Sequence, residues 1–388
     1  MTNFENASLL LGQLIAFDTV SHRPVIELAS FLAERCASLG FDVQLYPDPE
    51  NEKKTNVVCQ AGPQKEGGLI ISGHMDVVPT EDQPWQTDPF KLTQLNNKLY
   101  GRGTADMKGF IACTLTALSR IEVKNLVEPL TLIWTYDEEV GCKGSQKLVD
   151  ALKNQPNLLP KEALIGEPTD FRIFRMHPGH VSCQIVTTGI AAHSSKPDLG
   201  ISAIKRMQSI LTSIEILEAD LQKETKYQNF LERPYVTLNV GSIKGGQAVN
   251  IVPDKCEIIL GYRPLPGDDP LAVFERLNIR LQELACLPKG SWSMSLLNVT
   301  PALHTPEHQP LEKILCPFAS DPQASAAAFA TDGGNLAKLG IHSLIFGPGS
   351  IDVAHKANEF IELSALKKGT DVVENVIRLR CEEPLAYF

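Results

Sequence analysis

Four short apolar runs in this chain each lead into a residue that can bind a cation or move a proton, and stretches of helical periodicity stand between them. GGLIISGH ends at His74 and runs on to Asp76. PLTLIWTYD leads into Glu138 and Glu139, ALIGE reaches Glu167, and SLIFGPG precedes the loop that carries His355. Continuous apolar runs such as LTLIW fit strands covered on both faces, as in a parallel sheet. VIELASFLAERCASLG, closed by Gly40, and MKGFIACTLTALSRI repeat at helical spacing. Strands interleaved with helices of about ten to fifteen residues predict an α/β sheet that is mainly parallel. Loops beyond the strand ends of such open sheets carry active sites.

Beyond His177 the pattern changes. HVSCQIVTTGI alternates, the long helix ISAIKRMQSILTSIEILEADLQKE follows, and then come YVTLNVGSIKGG, DKCEIILGYRPLPG, the helix PLAVFERLNIRLQEL and SWSMSLLNV. This β-α-β-β-α-β order predicts a ferredoxin-like α+β module over 178–300. Pro301 to Pro310 reads as a return linker, and from about Leu311 the α/β pattern resumes, with IELSALKKGTDVVENVIRLR as a closing helix. Ligand candidates lie on both sides of the smaller module. It is therefore predicted to be inserted into a larger domain formed by 1–177 and 301–388.

Two domains also suit the 388 residues of the chain, since single cores stop growing near 250–300 residues. A net charge of −10 with both signs interspersed argues against a nucleic-acid partner. No run of about 18 uncharged apolar residues suggests a membrane helix. MTNFENASLLLGQLIAFDTV has Glu5 where a secretory signal would be basic, and reads as a first amphipathic helix. The nine cysteines stand singly, without a C-x-x-C pair. Reduced, mostly buried thiols and a soluble, cytoplasmic protein are expected.

The candidate site grows from donor chemistry. Imidazole nitrogen and carboxylate oxygen hold zinc, and a catalytic centre keeps a position open for water. His74 and Asp76, two apart at a strand end, face the same way, so Asp76 is expected to accept the second ring N–H of His74. Asp106, in GRGTADMKG, would taken alone be a helix N-cap, but a two-oxygen carboxylate is also the natural bridge between cations about 3.5–4 Å apart. Glu138 and Glu139 are neighbours that must point in different directions. One can ligate while the other stays free to carry protons. Cys142, close by, reads as a small packing residue.

These segments, GHMDVVP, GRGTADMKG, DEEVG, GEPT and the late GPGS followed by AHK, resemble in the same order those of the M20 family of di-zinc metallopeptidases and deacylases. The resemblance implies that His74 and Glu167 hold one zinc, that Glu139 and His355 hold the other, and that Asp106 bridges them. It implies Asp76 as the residue orienting His74 and Glu138 as general acid/base, with cobalt able to replace zinc. It also implies a cis peptide after Asp106 and an inserted dimerisation or lid domain in a homodimer. In that module GIAAHSSKPDLGISAI matches a family segment whose histidine, here His193, reaches the substrate carbonyl across the dimer. Asn250 and Arg263 match polar positions that would contact substrate, Arg263 as a bidentate carboxylate clamp.

Within the family the phrases IGEPTDFRIFRMHPGHVSCQIVTTG, HSSKPDLGISAI and LIFGPGSIDVAHKANEFI resemble the acetylornithine deacetylases. The expected substrate is thus a small N-acyl amino acid, N-acetyl-L-ornithine, hydrolysed to ornithine and acetate in arginine biosynthesis. Succinyl-diaminopimelate desuccinylase, an aminoacylase or a dipeptidase are the alternatives on the same metal site. A metal-binding scaffold without catalysis would have lost the free carboxylate, yet Glu138 is present. HPGH and FATDGGNL depart from that subfamily's pattern and are expected to line the substrate pocket, with His177 and His180 read as hinge residues.

Overall fold

The structure is a computed structural model that describes residues 3–153 and 159–383; Met1 and Thr2, at the head of the predicted first helix, lie outside the described residues. The chain divides into two compact units, one of residues 1–176, 304–325 and 331–388, the other of 177–303 and 326–330.

The first unit is built on a mixed sheet. Its centre is the parallel set Leu130–Thr135, Leu69–His74, Glu162–Ile165 and His342–Ile345, in that spatial order. Every residue of Leu69–His74, Leu130–Thr135 and Glu162–Ile165 is buried, as continuous apolar runs require when both faces are covered. The prediction of a mainly parallel sheet holds for this centre alone. Asn51–Ala61 pairs antiparallel with Leu130–Thr135, and Arg172–His177 meets His342–Ile345 antiparallel. NEKKTNVVCQA buries its middle but exposes its start, so it reads weakly as a sheet strand.

Helices Asn3–Ile15, Lys108–Leu118 and Leu363–Ile377 pack on one another against this sheet. All of Lys108–Leu118 is buried, which fits a helix apolar on all sides. Among the described residues no helix is long and apolar enough to cross a membrane.

The second unit has four antiparallel strands in the order Thr237–Gly245, Lys255–Arg263, His180–Thr188, Trp292–Thr300. Helices Ala203–Leu221 and Ala272–Gln282 complete the ferredoxin-like arrangement read from the sequence. Burial alternates strictly along Lys255–Arg263 and along His180–Thr187, because one face packs on the helices and the other does not.

Gly166, between the Glu162–Ile165 strand and Glu167, is a point of close approach: a Cβ there would stand 1.9 Å from Phe110 Cδ1. Gly166→Ala should therefore destabilise the protein by about 1–3 kcal/mol through overpacking. Thermal unfolding measures this, and an unchanged Tm would refute the packing account.

Candidate metal centre

The C-terminal ends of the four parallel strands converge. His74 closes its strand, Glu138 and Glu139 lie just past Thr135, Glu167 follows Ile165, and the loop after Ile345 brings back His355. Asp106 stands in the turn before helix Lys108–Leu118 and is not its cap: Met107 is, and the Asp106–Met107 bond is cis. The Asp106 carboxylate lies between two imidazoles, with His74 Nε2 at 3.0 Å from Oδ1 and His355 Nε2 at 3.1 Å from Oδ2. His355 Nε2 also lies 2.9 Å from Glu139 Oε2, and His74 Nε2 lies 4.0 Å from Glu167 Oε1. Ligand atoms of His74, Asp106 and Glu139 all fall within 4.8 Å of one another.

The tautomer of His74 follows from its other contact. Nδ1 is 2.9 Å from the carbonyl oxygen of Asp76, which can only accept, so Nδ1 carries a hydrogen. The lone pair of the neutral ring is then on Nε2, facing Asp106. This corrects the expected role of the Asp76 side chain, whose Oδ1 is 3.8 Å from Nδ1; the backbone carbonyl does that work. The Asp76 carboxylate instead accepts the backbone N–H of Glu138 at 3.1 Å and of Glu139 at 3.3 Å, with the Ser21 hydroxyl at 2.7 Å. It fixes the loop that carries both glutamates.

Electrostatics set the protonation of the cluster. Burial, then the charge of Glu167, pushes Glu138 well above the ordinary carboxylate value. Burial, then the charge of Asp106, does the same to Glu167 and raises Glu139 to about 7. For Asp106 burial works upward, but the hydrogen bonds from His355 and His74 prevail and hold it low. Hydrogen bonds to Asp106 and Glu139 raise His355 to about 10, against its partial burial. Burial opposes charge on His74, yet Asp106 and Glu167 leave its imidazole well above the usual value. Before a cation binds, the two imidazoles supply the positive charge that these carboxylates demand. Glu139 Oε1 is buried without a hydrogen-bond partner, an acceptor that a divalent cation would satisfy. The donor set therefore fits a metal.

Several supporting contacts could not be read from the sequence. Lys54, buried in the strand Asn51–Ala61, donates to Asp137 Oδ1 at 2.5 Å and to the Ser21 carbonyl at 2.6 Å. Asp332 accepts from Thr135 Oγ1 and Ser145 Oγ, each at 2.6 Å, and Asn335 Nδ2 donates to the Cys142 carbonyl at 3.2 Å. The TDGGN segment thus brackets the glutamate loop from inside the fold, with Asp332 and Asn335 buried. Cys142 is buried, as a packing residue should be, its Sγ 3.5 Å from Glu138 Oε1.

The remaining sequence candidates belong to the second unit. His193 and Asn250 lie on paired loop segments: Ser194 N–H donates to the Asn250 carbonyl at 2.9 Å, and His193 bridges to Ile251. Ser195 N–H donates to His193 Nδ1 at 3.2 Å, which leaves the proton of the neutral ring on Nε2. Arg263 is half-buried, has no carboxylate partner among the described residues, and lines a cavity of about 430 Å³ that Arg233 also borders. His177 is fully buried, donates from Nδ1 to the Pro178 carbonyl at 2.9 Å, and is lowered to about 4 by burial.

A family model described as Peptidase family M20/M25/M40 matches residues 70–379. The chain is 35% identical over 363 residues to an acetylornithine deacetylase of Klebsiella pneumoniae (strain 342), covering 91% of each. It is 32% identical over 358 residues to an acetylornithine deacetylase of Buchnera aphidicola subsp. Acyrthosiphon pisum (strain 5A), covering 90% of each. An M20 family metallo-carboxypeptidase from Sulfolobus solfataricus shares the fold with a TM-score of 0.80 at 21% identity, over 96% of this chain and 99% of that one.

With His355 raised to about 10 and His74 also raised, both rings hold at pH 7 a proton that a metal must displace. Zinc titration calorimetry in two buffers of different ionisation enthalpy should show net proton release, and apparent affinity should weaken as pH falls below 7. Proton uptake, or affinity independent of pH, would contradict this.

Proposed function

The chain belongs to peptidase family M20 and is a metal-dependent hydrolase acting on amide bonds, and from that premise we propose that it hydrolyses N-acetyl-L-ornithine to L-ornithine and acetate in arginine biosynthesis. The observation that carries the reading is the cluster itself: two imidazoles meet on Asp106 while Glu138 stays out of their hydrogen bonds. The choice of substrate is supported by two relatives, 35% and 32% identical, that are acetylornithine deacetylases.

In this proposal His74 and Glu167 hold one zinc, Glu139 and His355 a second, and Asp106 both, with cobalt an acceptable replacement. The ions would supply Lewis acidity and make a water acidic enough to ionise near neutral pH. Glu138, its backbone held by Asp76, takes the proton of the attacking water and delivers it to the departing amine. His193 donates from Nε2–H to the oxyanion. Arg263 clamps the substrate carboxylate, and Asn250 contributes a polar contact. Residues 178–300 serve as the lid and dimerisation module of a cytoplasmic homodimer.

A second reading, succinyl-diaminopimelate desuccinylation, is favoured by one observation. Such a substrate needs an extra cation for its second carboxylate, and Arg233 stands beside the same cavity as Arg263, although it also pairs with Glu232 at 3.2 Å.

On protein of measured metal content, N-acetyl-L-ornithine should be turned over faster than N-succinyl-diaminopimelate or dipeptides. A clear preference for either of the others would overturn the substrate while sparing the metal centre. Glu138→Gln should lower kcat by at least about 100-fold with metal content nearly unchanged; a variant that keeps its activity would remove Glu138 from the proton transfer.

A further inference from the structure

Glu359 touches none of the proposed ligands through their side chains, yet it is only 1% exposed and its carboxylate accepts four hydrogen bonds. Oε1 takes the backbone N–H of Ala105 at 2.8 Å and of Asp106 at 3.1 Å. Oε2 takes the N–H of Gly103 at 3.1 Å and Nη1 of Arg102 at 2.6 Å. The turn ending in Asp106 has no strand to satisfy these amides, so one side chain from more than 250 residues later does it. Main-chain pairing adds to the grip: Gly101 N–H donates to the Glu359 carbonyl, and Phe360 and Ile361 pair with Tyr100 and Leu99.

Arg102 carries the connection further. Its Nη2 donates to Gln83 Oε1 at 2.7 Å, and Gln83 Nε2 donates to the backbone carbonyl of His355 at 3.2 Å. The contacts run from the main chain of Asp106 through Glu359, Arg102 and Gln83 to the main chain of His355. The two residues at the ends of this path are the ones whose side chains meet at 3.1 Å.

We propose that Glu359 is a positioning residue of the metal centre, fixing Asp106 and His355 relative to one another so that both can serve the same cation; this rests on reading the cluster as a metal centre. The carboxylate form is required. A glutamine would turn an NH₂ group toward amide or guanidinium donors, and Arg102, itself 1% exposed, would lose its charged partner.

The test is the zinc affinity of the metal-free full chain, measured by competition with a chromophoric chelator, together with its thermal unfolding. Glu359→Gln should weaken zinc binding about 10- to 100-fold, as loss of an outer support for metal ligands does, and activity should recover as free zinc is raised. Gln83→Ala leaves the buried Arg102–Glu359 pair in place and should weaken zinc binding several-fold while unfolding at the parent temperature, which keeps the idea testable if Glu359→Gln fails to fold. Parent-like zinc affinity in a folded Glu359→Gln, or in Gln83→Ala, would overturn the positioning role. A parent protein that binds no zinc would instead overturn the metal-centre reading beneath it.

Discussion

Negative charge crowded into a poorly hydrated site is the condition around which the first unit is arranged. Asp106, Glu139 and Glu167 have nearly buried side chains and repel one another, and burial raises the cost further. The arrangement is tolerable only with positive charge at its centre. His74 and His355 provide it through Asp106, and a cation would provide more of it at the same atoms. The strand ends, the turn before Asp106 and the brackets behind the glutamate loop all hold like charges where they would not go unaided.

The supporting contacts divide the labour. Asp76 secures the amides of Glu138 and Glu139 from one side, while Asp332 and Asn335 secure the far end of the same loop through Ser145 and the Cys142 carbonyl. Lys54 anchors Asp137, which has a positive φ of 53°. Such a backbone needs outside restraint in a residue with a Cβ. Each bracket reaches across the sheet from a different segment, so the loop is held by the completed fold.

What could be read from the residues alone follows from periodicity and chemistry. Unbroken apolar runs such as LTLIW marked central strands because both faces are covered, and alternation in HVSCQIVTT marked a strand with one covered face. His74, Asp106, Glu139 and His355 were visible because metal donors at strand ends and glycine turns are chemically distinctive. The partners were not. Nothing local separates the buried acceptors Asp332 and Glu359 from ordinary surface acids, since their donors arrive from about 190 and 250 residues away. Asp76 misled for a related reason: spacing gave the correct neighbour of His74, but a backbone carbonyl is invisible to residue-type reasoning.

The order in which the cluster is assembled has a consequence for biogenesis. His74, Asp106, Glu139 and Glu167 precede the second unit in the chain, and His355 follows it. During synthesis the earlier four are made while the parallel sheet still lacks the strand His342–Ile345 between Glu162–Ile165 and Arg172–His177. The complete donor set, with both imidazoles, is therefore available only once His342–Ile345 has taken its place in the sheet and the loop beyond it has returned His355.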